Sequence, residues 1–180
     1  MNHAGWISTS RARGLLWAAL VLPLVLGTAF IVVDRREADA LQRDIVPLTD
    51  EQAAQQVVGP ARQIVATAHL EDATAGYAFI SCVSENEPPY QAVLYMSFDL
   101  PQGDWGRRLD EVAAAMIADG WANAPATAEH FGRKLTSDGV TAVLQRNVDD
   151  VGFATVRLYG ECRNTTDHRN DDPVWTEVSL

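Results

Sequence analysis

An uncharged stretch of 20 residues, 14–33, is the strongest constraint on what this chain can fold into. As a helix with a rise of about 1.5 Å per residue, it extends about 30 Å, which is the thickness of the hydrocarbon core of a bilayer. The stretch therefore predicts a single transmembrane helix. It is preceded by a short cytoplasmic tail (1–13) and followed by a juxtamembrane connector (34–48).

A cleaved signal peptide is the alternative interpretation of the same stretch. Arg11 and Arg13 precede it, and residues 38–40 have the small-x-small form of a cleavage site. Two features favour the anchor: the stretch is longer than the apolar region of about 7–15 residues usual in signal peptides, and charged residues separate it from the cleavage sequence. No cysteine lies near its end, which excludes attachment of a lipid there.

Charge alone does not decide the orientation of the span, because arginines flank both of its ends. The N-terminal tail has only 13 residues, as in a signal anchor, and both cysteines of the chain follow the span. Because a disulfide needs an oxidising compartment, we expect the large C-terminal domain to lie outside the cytoplasm, at the cell membrane.

The segment that follows the span is strongly acidic. All 24 acidic residues but only 12 of the 14 basic residues lie after residue 33, which gives this segment of 147 residues a net charge of −12. Such a charge argues against a nucleic-acid partner and against flat contact with anionic lipid. The length is that of one globular domain.

Cys82 and Cys162 are the only cysteines of the chain, and we predict that they form a disulfide. An isolated pair in an extracytoplasmic domain is most simply a structural bridge. The alternatives are two free thiols in a cytoplasmic domain and a redox-active pair, although neither cysteine belongs to a Cys-x-x-Cys motif.

Along the acidic segment, apolar residues recur at helical spacing in some stretches and at strand spacing in others. Thr49 and Gln52 form a capping box that starts a first helix, which the Gly59–Pro60 pair should bend or interrupt. Asp104 precedes a second helix, and a glycine stops it. A period of two predicts strands at 77–83, 90–99, 131–136, 140–146 and 153–162, and it places Cys162 on the core side.

These elements predict an α+β domain over residues 49–163, with an antiparallel sheet of about five strands and helices packed on one face. Asp138 and Gly139, between two of the strands, are a strong signal for a tight hairpin. Residues 164–180 are predicted to be a polar C-terminal tail, in which 174–178 either adds a short edge strand or stays disordered.

No motif in the sequence indicates an enzyme. The chain has no nucleophile elbow, no Ser-x-x-Lys or His-Glu-x-x-His motif and no phosphate-binding glycine loop. Metal-ligating residue types occur at 69–71, 129–130 and 167–172. The stretch 167–172 lacks the glycine and the distal glutamate of a calcium loop. The stretches 69–71 and 129–130 could form a zinc site only if they converged from separate elements. We therefore predict no catalytic, cofactor-binding or metal-binding residues.

Four segments resemble the single-pass membrane proteins and lipoproteins of actinobacteria, particularly of mycobacteria. They are Arg-Ala-Arg at 11–13, Cys82 in the first strand, the helix end at 111–121, and Gly-Glu-Cys-Arg at 160–163. The resemblance implies an envelope location and transfers no catalytic residue, because these proteins have no established shared activity. The present chain departs from the lipoprotein members in lacking a lipidation cysteine.

The function we expect is that of a non-enzymatic module that binds an envelope protein or a cell-wall component. The alternative is a small-ligand binding or sensing domain, in which Tyr95, Arg157 or Tyr159 lines a concave sheet face with an apolar pocket of at least about 300 Å³. An enzyme of unrecognised type is the third interpretation.

Overall fold

The structure of the protein is a computed structural model, which describes residues 46–84, 87–101, 103–125, 132–147, 149–172 and 174–180. The predicted cytoplasmic tail, the predicted span at 14–33 and most of the connector lie outside these residues. Within them, no helix combines the length and the apolar character needed to cross a membrane. The residues from Pro47 to Leu180 form one compact unit.

Helices and strands follow one another along the described residues. The helices are α1 (Asp50–Ala68) and α2 (Trp105–Ala118). The strands are β1 (Thr74–Ser81), β2 (Tyr90–Asp99), β3 (Ala122–Asn123), β4 (Arg133–Ser137), β5 (Val140–Arg146), β6 (Phe153–Tyr159) and β7 (Thr176–Val178).

These strands form one sheet in the order β3-β4-β5-β6-β2-β1-β7, and every neighbouring pair is antiparallel. The predicted α+β class with an antiparallel sheet is confirmed. The described residues contribute seven strands rather than about five, because the short strands β3 and β7 extend the sheet at its two edges.

α1 begins at the predicted capping box. Thr49 Oγ1 accepts a hydrogen bond from the Gln52 backbone at 3.3 Å, and Gln52 Oε1 accepts one from the Thr49 backbone at 3.0 Å. Of the two predicted effects of the Gly59–Pro60 pair, a bend or an interruption, the interruption does not occur, and the helix continues through Pro60. Val57 and Ile64, on either side of this proline, are buried in the core. Their packing stabilises the helix at this point, although proline has no backbone N–H and cannot donate the usual helical hydrogen bond.

α2 follows Asp104, whose carboxylate pairs with Arg107 at 2.7 Å and does not cap the helix. The helix ends before Gly120, which has a φ of 102°, a left-handed conformation that suits glycine. Trp121, the next residue, is buried. The buried face of the helix consists of Leu109, Val112, Ala113 and Met116.

Both helices pack on the same face of the sheet, as predicted. The strand residues that join the helices in the core are apolar; they include Leu94, Met96, Leu144, Val156 and Leu158. Because side chains alternate along a strand, the opposite face carries Tyr95, Arg157 and Tyr159. Tyr95 of β2 lies directly opposite Arg157 of β6.

A disulfide joins Cys82 and Cys162 and closes a loop of 80 residues. It ties the end of β1 to the chain that follows β6. The prediction that Cys162 points toward the core is wrong, because this residue is exposed. β6 ends at Tyr159, so the alternation that places every second residue on the core side stops before Cys162.

Candidate ligand-binding groove

Residues 164–180, the predicted polar tail, are here called the C-terminal segment; they pack against the domain and include the edge strand β7, one of the two alternatives predicted for 174–178. Asn164 is fully buried. Its backbone exchanges two hydrogen bonds with the backbone of Tyr90, at 2.7 and 3.1 Å. Its side-chain amide donates to Asp50 Oδ1 at 2.7 Å, and its side-chain oxygen accepts from the Thr166 backbone at 2.8 Å. The first residue of the segment is therefore fixed to both β2 and α1.

His168 anchors the middle of the C-terminal segment. Its side chain is only 4% exposed, its ring stacks on Phe79 at a centroid distance of 4.0 Å, and it meets Tyr90 edge-on at 5.0 Å. Nδ1 lies 2.7 Å from Asp171 Oδ2. Nε2 lies 3.5 Å from Asp50 Oδ1, which is longer than a normal hydrogen bond. This histidine of the predicted polar tail thus packs like an aromatic core side chain.

The carboxylate of Asp50 connects α1 to the C-terminal segment. Partial burial raises its pKa, but hydrogen bonds from Asn164 and Thr166 and the nearby His168 lower the pKa more, so that it lies below the ordinary value of 3.8. Asp50 also belongs to the first turn of α1, where the helix dipole favours a negative charge. The segment and the helix therefore meet at an ionised group.

Beyond His168, the C-terminal segment forms β7, which completes one edge of the sheet. β7 pairs with β1 over three residues, with Gly76 opposite Glu177 at the centre. A Cβ on Gly76 would lie 3.1 Å from the Cβ of Trp175, so the glycine allows Trp175 to lie against β1. Arg62 of α1 donates a hydrogen bond to the Ser179 backbone oxygen at 3.0 Å and fixes the end of the segment.

A groove of about 840 Å³ lies between β1 and the C-terminal segment. Six of its eleven lining residues belong to the segment, and Glu177 is the one charged residue among the eleven. Val174, Trp175 and Leu180 are exposed there, at 71%, 41% and 36%. The lining residues are Ala73, Thr74, Ala75, Gly76, Tyr95, Val174, Trp175, Glu177, Val178, Ser179 and Leu180.

Two of the eleven lining residues of the groove, Tyr95 and Trp175, are aromatic. Tyr95 and Trp175 meet at a centroid distance of 6.4 Å, and the Arg157 guanidinium lies 5.6 Å from the centroid of the Tyr95 ring in a cation–π contact. Of the residues that the sequence predicts for a ligand face, Tyr95 lines the groove, Arg157 contacts it through Tyr95, and Tyr159 does not line it. Trp175 was missed, although the apolar residues of the possible edge strand at 174–178 were a signal for it.

The stretches with metal-ligating residue types form no metal site in the described part of the chain. No group of three or more His, Cys, Asp or Glu side chains could hold an ion there. His69 ends α1 in a left-handed conformation with a φ of 49°, and residues 129–130 lie outside the described residues. Asp167 pairs with Arg169 at 2.6 Å, and the hydrogen bonds from Arg169 lower the pKa of Asp167 to about 2.

Proteins similar to this chain occur in mycobacteria. Residues 49–180 match the family described as "Putative lipoprotein LppJ". Relatives of that description from Mycobacterium tuberculosis, strains CDC 1551 and H37Rv, are 42% identical over 164 residues, which cover 89% of this chain and 87% of each relative. A relative from Mycobacterium bovis has the same identity and coverage. No solved structure matches the chain. The predicted resemblance to mycobacterial lipoproteins is confirmed, and the chain belongs to the LppJ family.

Proposed function

We propose that this protein is a membrane-anchored, non-enzymatic interaction module of the cell envelope, and that the groove between β1 and the C-terminal segment is its binding surface. Relatives described as lipoproteins support an envelope location, and the disulfide supports a domain outside the cytoplasm. The single observation that carries the proposal is the exposed apolar and aromatic lining of the groove.

The anchor in this proposal is the apolar stretch 14–33. Lipid attachment to a protein commonly uses a cysteine, and both cysteines of this chain are joined in the large domain.

The composition of the groove suits binding rather than catalysis. Its described lining residues include no histidine, cysteine or lysine, and Glu177 is their one charged member. Exposed apolar side chains such as Trp175 gain about 25 cal/mol for each Å² that a partner covers. Exposed aromatic patches of this kind mark interaction sites in soluble domains.

Binding of a small apolar ligand is a second candidate function, favoured by the volume of the groove. About 840 Å³ is well above the size of the smallest pockets that hold small molecules. In this case the rings of Tyr95 and Trp175 would enclose the ligand at one end.

A photo-crosslinking residue tests both candidates in cells that carry the full-length chain. Benzoylphenylalanine replaces either Val174, which lines the groove and is 71% exposed, or Val151, which does not line it and is 63% exposed. We expect protein adducts that form from position 174 and not from position 151. A small-molecule adduct specific to position 174 supports the second candidate instead. The absence of any adduct specific to this position refutes both.

A further inference from the structure

We propose that the groove binds a small organic cation, an alkylated ammonium ion that carries an apolar tail. The inference rests on the proposed function and deepens its second candidate, because it names the chemical class of the ligand in the same groove. Two aromatic rings, one carboxylate and the open sheet face between them support it.

Gly76 of β1 leaves the sheet face open in the middle of the groove. Tyr95 of β2 and Glu177 of β7 are its partners on the two neighbouring strands, so the three residues lie on the same face of the sheet. Neighbouring strands are about 4.8 Å apart, which places the backbones of Tyr95 and Glu177 about 10 Å apart. All three residues line the groove. A ligand above the glycine therefore lies between an aromatic ring and a carboxylate.

Tyr95 and Trp175 supply the surfaces that an alkylated ammonium ion prefers. Their ring centroids are 6.4 Å apart, their planes are inclined by 62°, and Trp175 is 41% exposed. The face of an aromatic ring is electrostatically negative, and sets of such rings recognise quaternary ammonium groups. Tyr95 already accepts a cation, the guanidinium of Arg157 at 5.6 Å from the ring centroid. Because β6 and β1 lie on opposite sides of β2, Arg157 reaches this ring from the side away from the groove.

Glu177 selects a cation over an anion. It is exposed and is the one charged residue in the groove lining, and no ion pair within the described part of the chain involves it. Arg157 and Arg62 contact the groove residues Tyr95 and Ser179, but neither arginine lines the groove. The chain after residue 33 has 24 acidic and 12 basic residues, a net charge of −12, which attracts cations and repels anions.

The remainder of the groove accommodates the apolar tail of the ligand. Val174 and Leu180 line it and are 71% and 36% exposed. Each methylene group of the ligand that becomes fully buried strengthens binding by about fourfold. The volume of about 840 Å³ has room for a headgroup and a tail.

The test compares two compounds of the same shape on the full-length chain in a neutral maltoside detergent. Choline carries a trimethylammonium group, and in 3,3-dimethylbutan-1-ol a carbon atom replaces the nitrogen, so that only the charge differs. Binding is followed at constant ionic strength through the chemical shifts of the backbone amides of Thr176–Val178, in β7. We expect choline to bind at least about tenfold more tightly than the alcohol. Hexyltrimethylammonium should bind more tightly than choline, because its tail covers apolar side chains.

Variants of the chain assign this preference to particular groups. Glu177→Gln should weaken choline binding about threefold, whereas Glu51→Gln, the same change at an exposed residue of α1 outside the groove, should leave it unchanged. Trp175→Ala should weaken binding about tenfold. Trp105→Ala should have no effect, because Trp105 is 43% exposed on α2 and does not line the groove. Arg157→Gln should strengthen binding about twofold, because it removes a cation that repels the ligand.

Three results overturn the inference. Equal binding of choline and the alcohol means that the groove binds ligands without regard to their charge, and the proposed function then survives. Equal effects of Glu177→Gln and Glu51→Gln mean that the net charge of the domain, and not the groove, attracts the cation. No saturable shift of the β7 amides with choline at about 100 mM means that the groove does not bind an organic cation.

Crosslinking at position 174 separates this failure from a failure of the proposed function. A specific adduct there preserves the proposed function without the cation, and the absence of a specific adduct refutes both. The comparison of choline with the alcohol uses the native chain, so a variant that does not fold leaves that comparison intact. Circular dichroism of each variant verifies that it is folded.

Discussion

Replacing His168 tests whether the C-terminal segment is held by a buried ring or by its charged groups. His168→Ala removes the ring, which is 4% exposed between Phe79 and Tyr90. His168→Phe is the matched variant, because it keeps a ring over Phe79 and removes both nitrogens. If packing holds the segment, the two variants should differ strongly.

The contacts of the ring give the expected magnitude. The stack on Phe79 and the edge contact with Tyr90 contribute about 0.5–1.5 kcal/mol each. The contact of Nδ1 with Asp171, a carboxylate that is 54% exposed, contributes about 1 kcal/mol. His168→Ala should therefore destabilise the docked C-terminal segment by about 3 kcal/mol, whereas His168→Phe should cost about 1 kcal/mol because only the polar contact is lost.

Hydrogen exchange at the β7 amides measures this difference directly, because these amides exchange when the segment opens. Exchange should accelerate about a hundredfold in His168→Ala and about fivefold in His168→Phe at constant pH. Exchange at β2, in the centre of the sheet, serves as the control for global unfolding. Equal acceleration in the two variants would refute the packing argument, and so would exchange in His168→Ala within about threefold of the native rate.

Three further predictions concern the bridge and the start of the C-terminal segment. Replacing both Cys82 and Cys162 by serine should lower the free energy of unfolding by about 4.5 kcal/mol, since the bridge closes a loop of 80 residues; a loss below about 1 kcal/mol in urea unfolding would contradict the loop-entropy argument. Asn164→Ala should cost about 2–4 kcal/mol, because it deletes a buried hydrogen bond to the Asp50 carboxylate; an unchanged melting temperature would show that the contact is dispensable. The folded-state pKa of Asp50 lies below 3.8, so its ionised form stabilises the fold above that pH, and the contribution is lost as the pH falls through the folded pKa. The gap in melting temperature between the native chain and Asp50→Asn should accordingly be widest near neutral pH and close in acid, and an equal gap at both would count against this assignment.

Helices and strands whose buried apolar residues recur at a regular spacing could be predicted from the sequence. β2 runs from Tyr90 to Asp99, as its alternation predicts, and all of its core-side residues are buried. The hairpin at Asp138 and Gly139 also forms, and both residues have positive φ values, 45° and 80°, as in a tight primed turn. Local sequence signals are enough to predict this strand and this hairpin, because the periodicity and the turn residues agree with the tertiary packing.

The candidate site was not predictable in the same way, because distant contacts form it. β7 has three residues and exists through its pairing with β1, about a hundred positions earlier in the chain. His168 lies in a polar stretch, and only its stack on Phe79 shows that it is buried. Continuation of α1 through Pro60 likewise depends on the sheet beneath it. Composition and periodicity do not report such long-range pairings.

The place of Leu180 in the groove decides where a reporter can be attached to this protein. Leu180 lines the groove, so an affinity tag or fluorescent protein fused directly after it would begin at the proposed binding surface and obstruct it. The hairpin between β4 and β5 is a better position. β6, β2 and β1 separate β5 from β7, which is about 19 Å across the sheet at about 4.8 Å per strand. A small tag inserted at this hairpin would leave the groove open during any search for its ligand.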